Sequence, residues 1–211
     1  MRLLAITHTP TTDLGVFRDV IKESGMVFGG PMHTHDQEQH PWIRDEATFL
    51  RGLVERQIPT LGVCFGAQLL VQTIGGSVFG APEAEKGWTT VELTEAAEDD
   101  PLIGTLPRRF LAFNWHVDTW TLPRSGAVEL ARSERCPQAH RIGRCAWGVQ
   151  FHPEVNRSIA HSWVERAASD YVDIDAMWRD IDAHMDVWNA LGKSLCATFV
   201  DVASTQAHAR Q

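Results

Sequence analysis

Short apolar runs alternating with helix-spaced segments constrain the first third of this 211-residue chain more than any other feature. An apolar run over residues 2–7 is followed by Leu14, Phe17 and Ile21 at helical spacing, stopped by Gly25. Met26-Val27-Phe28 reads as a short buried strand, because Gly29-Gly30-Pro31 can continue no regular element. Pro41 then opens a helix to Arg56, with Trp42, Phe49, Leu50, Leu53 and Val54 towards one side, and Pro59 ends it. Thr60-Leu61-Gly62-Val63 is another buried run, and Leu69, Leu70 and Ile74 continue as a helix closed by Gly75-Gly76. Strands separated by helical crossovers run parallel, and the crossovers cover the sheet. The expected fold is therefore α/β, with a mostly parallel central sheet flanked by helices.

From Ser77 to Phe151 the texture changes to β, with candidate strands at Trp88–Leu93, Phe110–Trp115, Ala127–Ala131, Gln138–Ile142 and Cys145–Phe151. The acidic stretch Glu95 to Asp100 reads as a solvated loop. Beyond Asn156, a plausible N-cap, Ile159, Trp163 and Ala167 mark one helix. Ile174, Trp178, Ile181, Met185, Trp188, Gly192, Leu195, Phe199 and Val202 then recur at alternating spacings of four and three, a narrow apolar seam. The seam reads as a helical extension packed on the main domain, with Gly192 at a kink or close approach; a homodimer or partner surface is the alternative. The division is thus 1–155 for the α/β domain and 156–211 for the helical extension.

Composition narrows the function. Twenty-seven acidic against 19 basic side chains give a formal charge of −8, and no Lys/Arg cluster offers a footprint for nucleic acid. No stretch approaches a membrane span, and the apolar run after Met1-Arg2 is too short for a signal peptide. Four cysteines (Cys64, Cys136, Cys145 and Cys196) are few for a disulfide scaffold, so the chain reads as cytoplasmic.

Two motifs carry chemistry. Gly62-Val63-Cys64-Phe65-Gly66-Ala67-Gln68 lies between a predicted strand and a predicted helix, the thiol version of a nucleophile elbow. A helix N-terminus stabilises a thiolate there, and the Phe65 backbone N–H would point at a developing oxyanion. Taken alone, Cys64 could equally be a small buried apolar residue. The second motif, Gly148-Val149-Gln150-Phe151-His152-Pro153-Glu154, stands where a buried strand runs out. A histidine and a carboxylate two apart at such an end can share one side of the turn, giving a Cys64-His152-Glu154 triad.

These two motifs, with Gly29-Gly30-Pro31-Met32 and Trp115-His116-Val117-Asp118-Thr119-Trp120, resemble the class I (triad) glutamine amidotransferase family. More narrowly, they resemble stand-alone proteins similar to the amidotransferase domain of GMP synthase. The resemblance spans about residues 1–155 and implies a flavodoxin-like fold. By it, Cys64 attacks the side-chain amide of glutamine, His152 moves protons, Glu154 orients His152, and the γ-glutamyl thioester is hydrolysed to glutamate with release of ammonia. The backbone amides of Gly30 and Phe65 match the oxyanion positions. Gln68 matches a substrate-holding residue, and His116-Val117-Asp118 the substrate-lining turn. No cofactor is implied. A separate synthetase would have to use the ammonia, since only helices follow Glu154. A free-standing γ-glutamyl hydrolase or peptidase is the alternative reading, and a non-catalytic regulatory relative ranks below both.

His33, His35 and His40 with Asp36 read as a polar loop near the pocket rather than a metal site, and Cys136, His140 and Cys145 lack an evident fourth zinc ligand. His116 fits a structural histidine about as well as a pocket residue. One departure stands out: family members have a further strand between the first helix and the Gly-Gly-Pro strand, whereas Lys22-Glu23-Ser24-Gly25 runs almost directly into Met26. Deleting an edge strand would force the helix into a different crossover. The expectation is a segment missing from the recorded sequence near residues 24–27.

Overall fold

A computed structural model describes residues 4–8, 14–20, 26–27, 32–167 and 173–208. Eight strands, β1 (Ala5–Ile6), β2 (Met26–Val27), β3 (Thr60–Val63), β4 (Ser77–Leu93), β5 (Arg109–Thr121), β6 (Ala127–Arg132), β7 (Pro137–Ile142) and β8 (Ala146–Val149), form one sheet. Their order is β1-β2-β3-β8-β7-β6-β4-β5. The first four in that order are mutually parallel, and every pairing beyond β8 is antiparallel. The fold is α/β with flanking helices and a C-terminal helix, and its sheet is mixed. The crossover through α1 (Trp42–Glu55) joins parallel β2 and β3, whereas β4 to β8 follow one another with no α-helix between them, β8 returning beside β3 to run parallel to it.

The helices are α1 (Trp42–Glu55), α2 (Phe65–Thr73), α3 (Arg157–Arg166) and α4 (Ile174–His208). The expected first helix is described only as a 3-10 turn, Gly15–Asp19; Ile21 to Gly25 lie outside the described residues, so of the positions of the expected discontinuity, 24–27, only Met26 and Val27 are described. β8 shows how the layers divide. Ala146 packs with Ile43, Leu50, Phe65, Leu69 and Leu70 of α1 and α2, while Trp147 and Val149 join Trp188, Leu195 and Phe199 of α4 in the larger core. Successive strand residues point to opposite faces, so both faces of this central strand are covered.

The seam on α4 is spent on that core. Ile181, Met185, Trp188, Leu195 and Phe199 are buried, and Ile174, Trp178 and Val202 pack partly against the same cluster. Each fully buried side chain of this size contributes about 1.5–3 kcal/mol. Asn156 caps α3 as its sequence position suggests, its side-chain oxygen accepting from the Ile159 N–H (3.0 Å). The acidic stretch differs from expectation. Asp100 turns inward and is buried, accepting from the Leu102 and Ile103 amides (3.0 and 2.8 Å), the Trp147 indole (3.1 Å) and Arg141 (2.8 Å). Four donors offset the desolvation of the carboxylate, which a loop facing water would not need.

Candidate active site

The strand-to-helix turn after β3 requires one unusual backbone and one close approach. Cys64 has φ 51° and ψ −107°, a conformation that costs a non-glycine residue about 1–3 kcal/mol. It is held by its own N–H to the Val149 carbonyl (2.7 Å) and by the Gln68 N–H to the Cys64 carbonyl (3.0 Å). Gly62 lets strand and helix meet, since a Cβ there would lie 2.6 Å from the Gly66 carbonyl. The result puts Cys64 at the N-terminus of α2, with Phe65 opening the helix.

β8 is parallel to β3 and delivers the second motif to the same end of the sheet. The His152 N–H donates to the Phe113 carbonyl (2.8 Å), and Nδ1 bonds Glu154 Oε1 at 2.7 Å. Cys64, His152 and Glu154 are 6%, 2% and 1% exposed, so this is a nearly dry constellation. Burial pulls the His152 imidazole down, but Glu154 and Cys64 outweigh it and push it up to about 10. His152 Nδ1 is thus held on the Glu154 carboxylate, while Nε2 is buried without a hydrogen-bond partner among the described residues, and Cys64 is near enough to act on the ring.

A polar chain runs inward from the sulfur. Gln150 Nε2 points at Cys64 Sγ (3.5 Å), and Gln68 Nε2 donates both to Gln150 Oε1 and to the Asp118 carbonyl (3.2 Å each). His116 Nδ1 bonds the same Asp118 carbonyl (2.9 Å), and its Nε2 bonds Glu85 Oε2 (3.0 Å). Both ring nitrogens of His116 face oxygen atoms, so the ring bridges the turn to the Glu85 carboxylate. Glu85 also accepts from Ser133 (2.7 Å) and Gln138 (2.6 Å). Burial disfavours its charge, but the His116 and Ser133 hydrogen bonds prevail and hold the carboxyl below its ordinary range. Sequence reasoning missed Glu85 altogether, and it quoted Gln150 in a motif without giving it a role.

Gln68, His116 and Asp118 thus converge, whereas the Val117 side chain faces outward and is exposed. Gly30 lies outside the described residues. His33, from the loop after Pro31, bonds the Asp118 carboxylate through Nδ1 at 2.5 Å; that hydrogen bond raises its pKa against the opposing effect of burial. His33 also stacks on His35 with ring centroids 5.1 Å apart. Among the described residues no three His, Cys, Asp or Glu side chains are placed to hold a metal ion. Cys145 donates instead to the Gln57 carbonyl (2.9 Å), and His140 is buried against the edge of Trp120 (4.7 Å).

The family model for class I glutamine amidotransferases (GATase) matches residues 17–167. The chain belongs to that family. Among its relatives, GMP synthase [glutamine-hydrolyzing] of Lactobacillus delbrueckii subsp. bulgaricus is 38% identical over 141 residues, 65% of this chain and 26% of that protein. The chain thus spans about a quarter of the length of that GMP synthase. A glutamine amidotransferase-like protein of Salmonella typhimurium, YfeJ, is 30% identical over 170 residues, 78% of this chain and 70% of the relative. A glutamine amidotransferase from Thermotoga maritima has a crystal structure that superposes with a TM-score of 0.80 at 26% identity, covering 96% of this chain and 97% of that one. No described helix of this amidotransferase is long and apolar enough to cross a membrane.

Proposed function

We propose that this amidotransferase hydrolyses the side-chain amide of glutamine through a covalent thioester on Cys64, releasing glutamate and ammonia. The observation that carries the reading is the burial of Cys64, His152 and Glu154, with His152 Nδ1 fixed on Glu154 at 2.7 Å. That bond leaves Nε2 to serve the sulfur. The Cys64 thiolate attacks the amide carbon and the carbonyl π electrons move to oxygen. The backbone N–H of Phe65, with that of Gly30, steadies the oxyanion at the start of α2. As the tetrahedral adduct collapses, the C–N bond breaks and the His152 imidazolium gives its proton to the departing nitrogen. Water then attacks the thioester, His152 takes its proton, and the thiolate leaves as glutamate forms.

In this reading Gln68 and the His116-Val117-Asp118 turn line the glutamine site, and Glu85 stiffens that turn through His116. The free ammonia would serve a separate synthetase, as the glutamine-hydrolysing GMP synthases suggest by their name. The buried cysteines suit a reducing, cytoplasmic setting. The test is ammonia release by the purified protein from glutamine, run beside amine release from γ-glutamyl amines and γ-glutamyl peptides. Glutamine turnover lost in Cys64→Ala, with the fold intact, is the expected result. Turnover of γ-glutamyl amines or peptides without glutamine turnover would reassign the substrate. Full activity in Cys64→Ala would reject the nucleophile.

A further inference from the structure

We propose that α4 belongs to the catalytic apparatus: Trp188, Asn189 and Gly192 are positioning residues that hold the His152–Val155 turn and so aim the imidazole at Cys64. The inference rests on reading Cys64 and His152 as nucleophile and proton carrier.

A turn that leaves a buried strand must place each of its carbonyls. Here segments from outside the sheet donate to three of the four carbonyls and pack against the other. The His152 carbonyl accepts from the Trp188 indole N–H (3.0 Å), and the Val155 carbonyl from the Asn189 side-chain amide (2.8 Å). The Glu154 carbonyl accepts from the Val16 N–H (2.8 Å). The Pro153 carbonyl lies so near Gly192 that a Cβ there would fall 2.0 Å from its oxygen. The 3-10 turn carrying Val16 is tied to α4 in its own right, by Lys193 to Asp19 (2.7 Å). Trp163 of α3 closes over the imidazole edge-on, with ring centroids 4.8 Å apart and planes at 77°.

The seam explains why α4 packs, but not why its polar groups fall where they do. Trp188 is wedged among Trp88, Phe110 and Phe151, and from there its one polar atom reaches the backbone of His152. Asn189 is the next residue and reaches Val155, three positions further along the turn. α4 lies wholly beyond residues 17–167, the part matched to the family. The imidazole's aim is therefore set by a helix outside that shared segment. A misplacement of about 1 Å in a catalytic group costs on the order of a hundredfold in rate, so partial loosening should cost about tenfold.

Trp188→Phe keeps a ring in the aromatic cluster but lacks the N–H, and Asn189→Leu removes the amide at similar size. In the full chain, kcat for ammonia release from glutamine should fall about tenfold or more in these variants, with KM within about twofold. The pH dependence of Cys64 alkylation by iodoacetamide, read by peptide mapping, should shift towards that of an unassisted thiol. Val187→Ser, at an exposed position of the same helix, should change neither. Alkylation needs no turnover, so it reports on the His152–Cys64 relation even if glutamine proves not to be the substrate. A shifted profile in either variant supports the assignment. Unchanged kcat and profile in both overturn it, and so does a loss of kcat matched by an equal loss of folded protein with the profile unmoved.

Discussion

His140 offers a quantitative test of the buried face beneath the site. Its ring is fully buried on β7, both nitrogens lack a hydrogen-bond partner among the described residues, and Gly148 opposite leaves the space it fills. Burial alone pulls its pKa from 6.5 to about 3. The folded state thus refuses a proton that the unfolded chain accepts. Its contribution is fully present above pH 6.5 and is lost as pH falls from 6.5 towards 3. Linkage puts the loss at about 1.4 kcal/mol at pH 5.5 and about 3 kcal/mol at pH 4.5, relative to pH 8. For a chain of this size that is a Tm drop of roughly 6–12 °C at pH 4.5. His140→Leu conserves volume approximately and removes two unpartnered polar atoms, so at pH 8 it should match or exceed the wild type. Thermal unfolding of both proteins from pH 8 to 4.5 measures the difference. The two curves should diverge by about 3 kcal/mol at the acid end; parallel curves would show that His140 is not held neutral, and the reasoning would fail.

Two further outcomes follow from the geometry. Because the Cys64 backbone sits at φ 51°, Cys64→Gly should be about 1 kcal/mol more stable than Cys64→Ala in chemical denaturation, while both lack turnover. Equal stabilities would mean that the elbow is unstrained. Gln68→Ala removes the donor shared by Gln150 and the Asp118 carbonyl; steady-state kinetics should show mainly a higher KM, by about tenfold, and an unchanged KM would remove Gln68 from the substrate site.

What the sequence disclosed was local or periodic. The elbow is legible because Gly62, Cys64 and the following helix lie within a few residues of each other, and α4 because its apolar spacing spans seven turns. The cap at Asn156 is read from one residue and its neighbours. The antiparallel half was seen only in fragments: β4 extends back to Ser77 through Gly80 and Pro82, where the strand signal is weak and the register slips between Gly80 and Glu85. That slip leaves Glu85 opposite His116. A buried glutamate in a stretch rich in charged residues looks like surface, and its partners Ser133 and Gln138 stand 48 and 53 positions away. Asp100 was misread for the same reason, since Arg141 and Trp147 supply its pairing from distant strands. The grip of Trp188 on His152 is equally invisible: the seam marks the tryptophan as apolar, and nothing in its spacing says where the indole N–H will go.

The account stands most directly on the covalent role of Cys64. Incubation with a glutamine analogue that carries an electrophilic carbon in place of the amide nitrogen, followed by intact-mass measurement and peptide mapping, tests it in one step. One γ-glutamyl-like adduct per chain, on Cys64, with ammonia release from glutamine falling in proportion to modification, is the expected result. An adduct on another residue, or turnover that persists with Cys64 fully modified, would contradict it.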